Sequence, residues 1–408
     1  MRRVVVTGMG AVSCLGPDRG ALFDGLRTGR AGFRDMPDFA ALGMRCRVAA
    51  PVDLDGLEPP PRKLRRYLPP AAEYAWYATR EALEEAGLDA ARLHERDAGV
   101  VMGGSAALSE YDAGLAVFQA RGIGRLSPFI VPRTMGSAIA ATLTHAFGFG
   151  GRAFTVSSAC SSATHAIGQA MELIQLGRQD IVVCGGAEEL HDKAAMCFDV
   201  MHALSTGSVA GQHVSAPYEA DRDGLLLGGG AGVLVLESLD HALARGATIL
   251  AEMAGYGAAS DPDGMIGPAA DGMAEAMHQA IDLAGTLPDY VNTHACATVH
   301  GDLAEWQALQ RVFADRGHAV PCMSSIKGLT GHAPAAAGAL DAIAAIAMMD
   351  AGVMLGGAPL RERDAAFADA PLVEGERAAR IDSVLSNTFG FGGSCAALLV
   401  RRFDGAAA

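Results

Sequence analysis

Short runs of β-branched and other apolar residues alternate along this chain with longer segments in which apolar residues recur every three or four positions. The short runs predict strands and the longer segments predict helices. The predicted strands lie at residues 4–7, 99–102, 181–184, 234–236 and 398–400. Strands that alternate with helices of this length are typical of an α/β protein built from βαβ units.

One of these strand-to-helix transitions carries a cysteine. A β-branched run ends at the small residues 157–159, Cys160 follows, and a helical pattern then continues to Gly177. We therefore expect Cys160 at the corner between a strand and a buried helix. The free N–H groups and the dipole at the start of a helix favour a thiolate. A buried cysteine that acts only as a small apolar side chain is the alternative reading of this position.

A faint internal repeat divides the chain. The sequence GMGAVS at residues 8–13 is matched by GYGAAS at 255–260, and a strand that runs into Gly-Gly near 180–189 has its counterpart at 383–393. The pattern predicts two duplicated halves, residues 1–240 and 241–408.

Composition narrows the class of protein. Half of the 408 residues are hydrophobic but only 6% are aromatic, so the core must consist of small and aliphatic side chains. The eight cysteines form no CxxC pair, and neither a disulfide framework nor a zinc site is indicated. The apolar run after Met1 is too short for a signal peptide, which predicts a cytoplasmic protein.

The net charge and the longest apolar segment bear on whether the protein binds nucleic acid or spans a membrane. The net charge of −14 argues against nucleic acid, because phosphate binding requires a basic surface. The longest apolar segment, residues 333–355, contains Asp341 and Asp350, so we expect a buried helix and no membrane span.

A local basic patch stands out against the acidic background. Arg62, Lys63 and Arg66 follow a proline-rich turn and would share one helical face. Arg121 and Arg125 could extend the patch. A solvated cationic face without a partner is the alternative.

The second half supplies candidate partners for Cys160. His294 follows one predicted strand. Lys327 and His332 lie on either side of a glycine turn that follows a second predicted strand. The glycine-rich segment 387–393 predicts a loop whose backbone N–H groups face a cavity, as an oxyanion hole requires.

At this point the sequence resembles the elongating β-ketoacyl-[acyl-carrier-protein] synthases over essentially its whole length. The pair Glu188-Glu189 and residues 198–206 resemble the synthase I branch in particular. The resemblance implies the α/β thiolase fold, five-layered α/β/α/β/α and built from two duplicated halves. The motifs that carry it are Val6-Thr7-Gly8-Met9-Gly10, Ser157-Ser158-Ala159-Cys160, Gly185-Gly186-Ala187-Glu188-Glu189, Asp221-Arg222-Asp223-Gly224, Lys327-Gly328-Leu329-Thr330-Gly331-His332 and Asn387-Thr388-Phe389-Gly390-Phe391-Gly392-Gly393.

The resemblance also implies a chemistry for the candidate residues. Cys160 would hold the acyl chain as a thioester, with its own N–H group and that of Phe391 as the oxyanion hole. Phe391 would also gate the acyl pocket. His294 and His332 would stabilise the enolate formed when malonyl loses CO₂, and Lys327 would tune both histidines.

Supporting residues and partners follow from the same resemblance. Glu305 would act together with Lys327 to orient and tune the two histidines, and Thr298 and Asp302 would be further supporting residues. No redox cofactor or catalytic metal is implied, although some relatives hold a structural monovalent cation. The matching positions are Asn292, Asp341, Ser386 and Asn387. The implied partners are acyl carrier protein with its acyl and malonyl thioesters, and a second copy or a related subunit in a homodimer or heterodimer.

The sequence departs from the family pattern at a few positions, which leaves other functions open. Cys296 replaces a threonine that helps bind the phosphopantetheine arm, Ser394-Cys395 replaces Thr-Asn, and Ala335 replaces a glycine. The sequence is therefore as compatible with a specialised paralogue as with a housekeeping synthase.

Three other classes remain. A chain-length partner subunit would lack the nucleophile. A degradative thiolase would use a second cysteine, for which Cys395 is the candidate. A carrier-binding scaffold would use only the basic patch.

Overall fold

The computed structural model describes residues 1–267 and 269–405 of the chain. Its strands are β1 (Val4–Ser13), β2 (Arg34–Asp35), β3 (Val48–Ala49), β4 (Ala98–Gly103), β5 (Ala153–Val156), β6 (Ile181–Glu188), β7 (Gly230–Ser238), β8 (Ala251–Ser260), β9 (Tyr290–Asn292), β10 (Cys322–Ser324), β11 (Val353–Leu355), β12 (Glu376–Ala378), β13 (Ser383–Gly390) and β14 (Ser394–Arg401).

The α-helices connect these strands and cover the sheet. They are α1 (Arg19–Arg27), α2 (Pro37–Ala41), α3 (Arg62–Arg65), α4 (Pro70–Ala86), α5 (Ala90–Leu93), α6 (Leu108–Arg121), α7 (Ile130–Thr134), α8 (Ala138–Phe147), α9 (Ser162–Gln175), α10 (Asp192–Val200), α11 (Leu239–Ala244), α12 (Ala270–Ala284), α13 (Val299–Ala314), α14 (Lys327–Thr330) and α15 (Ala337–Ala351). Short 3₁₀ turns lie at Ile123–Arg125, Pro334–Ala336 and Ala365–Phe367.

The main sheet has the strand order β10-β9-β13-β14-β8-β1-β7-β6-β4-β5. Strands of the first half occupy one side and strands of the second half the other, and they meet where Val4–Val6 of β1 pairs with residues 251–253 of β8. Each side has two antiparallel pairings followed by parallel ones, as in β6-β4-β5 and β13-β9-β10. The predicted duplication is therefore visible in the topology.

The helices form layers around this sheet. Both α9 and α15 contact strands of the two halves and each other, so they form a central layer. The outer layers are α4, which covers β1 and β7, and α12, which covers β8 and β14. This arrangement is the five-layered α/β/α/β/α architecture that the sequence predicted.

The repeated glycines explain how the outer helices pack so closely. A β-carbon on Gly10 would lie 2.0 Å from the carbonyl oxygen of Ala78 in α4, and one on Gly257 would lie 2.0 Å from that of Ala276 in α12. Only glycine allows this approach of helix backbone to strand. The strand predicted to end at Thr7 instead continues through its glycines to Ser13.

The apolar segment of the second half forms a buried helix, as predicted. Among the described residues, one helical stretch, Pro334–Ala351, is long and apolar enough to cross a membrane, and 78% of it is buried inside the protein. Residue 240 lies in α11, in the connection between the last strand of the first half and the first strand of the second.

Candidate active site

Cys160 lies at the corner between β5 and α9, where the sequence predicted it. The preceding Ala159 has φ of +51°, a left-handed conformation that turns the chain sharply. The hydroxyl of Ser161 donates to the backbone oxygens of Thr388 (3.0 Å) and Ser394 (2.8 Å), which ties this corner to the β13–β14 hairpin. The corner therefore joins the two halves of the chain.

Two histidines from the second half meet the thiol of Cys160. The Nε2 atom of His332 lies 3.0 Å from the Sγ atom. The ring of His294 packs edge to face on that of His332, with centroids 5.2 Å apart. One ligand-forming atom from each of the three residues lies within 4.8 Å of the other two. The structure thus assembles the predicted Cys-His-His cluster from Cys160 and two histidines that lie more than 130 residues after it in the chain.

The start of α9 favours a thiolate at Cys160, but burial opposes it. Burial and, to a smaller extent, the nearby Glu188 carboxylate raise the pKa of the Cys160 thiol to about 12, while Lys327 and the N–H groups of Phe391 and Cys160 act in the opposite direction. The thiol is only 6% exposed and precedes the N-cap, Ser161, of α9. Desolvation therefore outweighs the helix dipole.

Burial also sets the charge of the histidines. Burial, together with the positive charge of Lys327, lowers the pKa of His332 to about 3. The pKa of His294 is lowered by burial, by Lys327 and by His332. Both imidazoles are therefore neutral at pH 7. Neither Nδ1 atom has a hydrogen-bond partner among the described residues.

The glycine-rich segment differs in part from the loop that the sequence predicted. Residues 387–390 belong to β13, and the turn is confined to residues 391–393. The N–H group of Phe391 faces the thiol of Cys160, as an oxyanion hole requires. The Phe391 ring is 36% exposed and lies against Phe198, with centroids 6.0 Å apart.

Lys327 and Glu305 act on the histidine segment through different contacts, and the ion-pair partner of Lys327 is Asp341. The Nζ atom of Lys327 lies 2.7 Å from Oδ2 of Asp341, and both side chains are 2% exposed. Glu305 instead accepts the backbone N–H groups of His294 and Ala295, both at 2.9 Å. A carboxylate in the middle of an apolar helix needs a buried partner, and this signal in the sequence could have identified Asp341.

The segment after His294 is held by a buried carboxylate. Asp302 accepts the N–H group of Cys296 at 3.1 Å, and its pKa is raised to about 6 by burial although Arg222 lowers it. Arg222 also donates to the carbonyl of Val299 at 3.1 Å. Sequence reasoning missed this buried arginine, which was noted only as part of a motif.

Two cavities open from the nucleophile. A cavity of about 400 Å³ contains Cys160, both histidines and Phe391, and it is also lined by Cys296, Thr298 and Cys395. A second cavity of about 250 Å³ shares Cys160 and Phe391 with the first, and Glu188, Leu190 and Phe198 also line it. Phe391 therefore lies between the two spaces.

The structure brings together some of the residues predicted to hold a structural monovalent cation. Asn292 and Ser386 are paired residues in β9 and β13, and Asn387 follows Ser386. The side-chain oxygens of Asn292 and Asn387 are buried without a hydrogen-bond partner among the described residues. Asp341 is already engaged by Lys327.

The basic patch lies on the surface. Arg62, Lys63 and Arg65 form the single turn of α3, with Arg66 as its C-cap. All four are exposed, and the guanidinium of Arg66 lies over the ring of Phe129, 5.3 Å from its centroid. Arg121 ends α6, and Arg125 lies in the following 3₁₀ turn. These two are also exposed.

Both halves of the chain match domains of one family of known proteins. Residues 1–242 match the family described as "Beta-ketoacyl synthase, N-terminal domain", and residues 250–359 match "Beta-ketoacyl synthase, C-terminal domain". The chain is 39% identical to 3-oxoacyl-[acyl-carrier-protein] synthase 1 of Haemophilus influenzae, covering 99% of this chain and 100% of the relative.

Solved structures extend the similarity to the backbone. A beta-ketoacyl synthase from Burkholderia phymatum superimposes with a TM-score of 0.92 at 36% identity, covering 99% of this chain and 100% of that one. The ishigamide ketosynthase/chain length factor superimposes with a TM-score of 0.88 at 32% identity, over 98% and 99% of the two chains.

Proposed function

This chain belongs to the β-ketoacyl synthase family, and we propose that it extends an acyl chain held on Cys160 by decarboxylative condensation with a malonyl thioester of acyl carrier protein. A cysteine nucleophile divides this acyl transfer into loading and condensation. The observation that carries the residue assignment is the 3.0 Å contact between Sγ of Cys160 and Nε2 of His332.

Loading of the acyl chain begins from a protonated thiol. As the sulfur attacks the thioester carbonyl, its proton passes to Nε2 of the neutral His332. The carbonyl oxygen takes up negative charge between the N–H groups of Cys160 and Phe391. The bond to the phosphopantetheine sulfur then breaks, and that sulfur leaves with the proton from His332.

Condensation uses both His294 and His332 as hydrogen-bond donors. When the malonyl thioester loses CO₂, the electron pair of the broken bond forms an enolate, whose oxygen accepts hydrogen bonds from His294 and His332. The enolate carbon attacks the acyl carbon on Cys160, the carbon–sulfur bond breaks, and the sulfur takes up a proton from water, which restores the thiol for the next loading step. Because no net oxidation or reduction of the protein occurs and the histidines supply the donors for the enolate oxygen, the proposal includes no redox cofactor and no catalytic metal.

Three buried side chains support the histidines. Lys327 acts on them through its charge and is held by Asp341. Glu305 fixes the backbone of His294 by accepting two consecutive N–H groups. These are positioning roles, since none of the three lies in hydrogen-bond contact with Sγ of Cys160 among the described contacts.

The two cavities suit the two parts of a carrier-bound substrate. We assign the 400 Å³ cavity to the phosphopantetheine arm, with Thr298 as a hydroxyl partner and Asp302 holding the segment. The 250 Å³ cavity beyond Phe391 is assigned to the acyl chain. Cys296 offers only a weak donor where the family has a hydroxyl, so this arm is held by fewer strong hydrogen bonds.

An acidic carrier protein would dock on the exposed patch of Arg62, Lys63 and Arg66, with Arg121 and Arg125 beside it. A protein of net charge −14 needs such a local patch to attract an acidic partner.

A second copy of the chain would pair at the edge of the sheet. β5 is the last strand of the main sheet, and α6, which precedes it in the chain, carries no buried residue. Four large apolar residues of α6 are exposed, Leu108 (39%), Tyr111 (66%), Leu115 (48%) and Phe118 (47%). This apolar surface supports a homodimer. Pairing with a related subunit is the second candidate, because one similar structure is a ketosynthase with a chain length factor.

A structural monovalent cation fits the region behind His294. The two unpartnered buried oxygens of Asn292 and Asn387 would hold it, together with Ser386 and Asp341. Such an ion would supply positive charge that fixes the ends of β9 and β13. The chain's own residues carry every step of the reaction above.

A single experiment tests the proposed function. Intact-protein mass spectrometry follows the enzyme after incubation with acyl carrier protein loaded with an acyl chain, and again after malonyl carrier protein is added. We expect an acyl adduct on Cys160 that disappears as the extended product forms. A persistent adduct would indicate a thiol that is acylated without condensing, and no adduct at all would exclude the proposal.

A further inference from the structure

The bottom of the 400 Å³ cavity concentrates donors that soft and borderline metal ions prefer. Cys160, His294 and His332 offer one sulfur and two imidazole nitrogens within 4.8 Å of one another. The cavity reaches solvent, since Phe391 and exposed residues such as His300 line it as well. A second cysteine, Cys296, faces the same space.

We propose that Cys160, His294 and His332 also bind a borderline transition-metal ion of the Zn²⁺ class, which blocks the nucleophile while it is bound. One thiolate and two imidazoles are a common set for such ions, with the fourth position left to water or to another donor. The ion is an inhibitor of this site and takes no part in condensation. The proposal rests on geometry and is independent of the proposed function.

The distances favour this assignment. Tetrahedral zinc with Zn–S of about 2.3 Å and Zn–N of about 2.0 Å holds sulfur and nitrogen about 3.5 Å apart. The present separation of Cys160 Sγ and His332 Nε2 is 3.0 Å, so the pair must open by roughly half an ångström to admit the ion. Small side-chain rotations achieve such a change without moving the backbone.

The local charge also permits a cation. The positive charge of Lys327 acts on Cys160, but Asp341 pairs with that ammonium group at 2.7 Å. Glu188 lines the second cavity together with Cys160 and adds negative charge when ionised. On binding, the thiol loses its proton to water, a metal–sulfur bond forms, and no electron is transferred.

A second cluster with three donors serves as an internal contrast. His213, Glu219 and Asp221 also lie within 4.8 Å of one another. However, the guanidinium of Arg361 already contacts all three, at 2.7 Å from Nε2 of His213 and 3.3 Å from Oε1 of Glu219. A cation already occupies that position, so we expect no metal there.

The test uses the whole protein without substrate. Equilibrium dialysis against buffered Zn²⁺ followed by metal analysis gives the number and affinity of bound ions, and Co²⁺ reports a thiolate ligand through its sulfur-to-metal charge-transfer absorption. We expect one tight ion per chain. Cys160→Ser and His332→Asn should each weaken it about 100-fold or more, and alkylation of Cys160 should abolish it.

Control variants separate this site from others. His213→Ala removes a donor of the surface cluster, and Cys197→Ser removes an exposed thiol. Both should bind zinc like the unaltered protein. The proposal is overturned if Cys160→Ser retains the same affinity and stoichiometry, or if His213→Ala or Cys197→Ser removes the tight ion.

Discussion

The ammonium group of Lys327 and the carboxylate of Asp341 form an ion pair of 2.7 Å that is almost fully excluded from water. The pair links the short helix α14 to the buried helix α15, and therefore the segment of His332 to the core. Removing one member of a buried pair leaves the other charge without compensation, which typically costs about 3–5 kcal/mol.

We therefore predict that Asp341→Leu and Lys327→Met each lower the free energy of unfolding by about 3–5 kcal/mol, whereas the double variant recovers a large part of the loss. Urea denaturation measures all three. Activity should stay low in the double variant, because the charge near the histidines is gone. Single variants that lose less than about 1 kcal/mol would show that the pair has little influence on stability.

Cys160→Ala should abolish both acyl loading and condensation, because the variant has no nucleophile. Cys160→Gln should also fail to condense, yet it should still decarboxylate malonyl carrier protein, since the amide resembles the acylated side chain and the histidines remain. Release of CO₂ measures the second activity. Condensation by Cys160→Ala at the original rate would contradict the mechanism.

Replacing His294 and replacing His332 should affect loading and decarboxylation differently. His294→Ala should slow decarboxylation on the order of 10²–10³-fold, as expected for loss of one oxyanion donor, and should affect loading much less. His332→Ala should slow both steps, since its Nε2 atom is the one that contacts Cys160. Separate assays of acyl transfer and CO₂ release test this division. Equal effects of the two variants on both steps would argue against it.

The basic patch should matter only for carrier-bound substrates. Arg62→Glu/Lys63→Glu/Arg66→Glu should raise the apparent KM for acyl carrier protein and weaken its dependence on salt, because exposed pairs are worth about 0.2–1 kcal/mol each and act together. Turnover of a small pantetheine thioester should barely change.

A matched control carries the same charge change at exposed positions outside the patch, in Arg96→Glu/Arg178→Glu/Arg380→Glu. This control should leave the KM for carrier protein close to its original value. If the patch variant loses activity equally with both substrates, the patch supports folding or subunit contacts and does not bind carrier protein.

Glu188 should make stability depend on pH. Burial and, to a smaller extent, the charge of Glu189 raise the pKa of its carboxyl to about 7, against the opposite effect of the N–H group of Ala335. Between about pH 4.5 and 7 the folded protein therefore binds more protons at this site than the unfolded chain. Its contribution is fully present at low pH and is lost as the pH rises through 7.

Glu188→Gln should accordingly flatten the decrease in unfolding free energy between pH 5 and 8, by at most about 3 kcal/mol. Urea unfolding at several pH values provides the measurement. The exposed Glu95→Gln is the control and should keep the slope of the original protein. An unchanged slope in Glu188→Gln would mean that the carboxyl titrates alike in both states.

Sequence reasoning succeeded where a local pattern had a single physical meaning. The corner at Cys160 could be predicted because a strand, small residues and a helix follow one another directly. The paired glycines of β1 and β8 indicated the duplication, since each pair admits a helix backbone.

Properties that depend on contacts between distant segments were harder to predict from the sequence. The sequence did not identify Asp341 as the ion-pair partner of Lys327, because 14 residues separate them and only packing brings the two side chains together. The effect of burial on the Cys160 thiol could not be predicted for a related reason: the helix dipole is a local feature, but burial depends on the whole fold. Glu188 was noted only as part of a motif, and its position in a cavity with the nucleophile was not predicted on the same grounds.

The position of β1 has a consequence for synthesis of the chain. Its ten buried residues pair with β7 and β8, which follow more than 200 residues later. At a translation rate of 5–20 residues per second, the ribosome needs roughly 10–50 s to supply these partners. This apolar strand is therefore synthesised well before the strands that pair with it, and in the interval its exposed apolar side chains can bind chaperones.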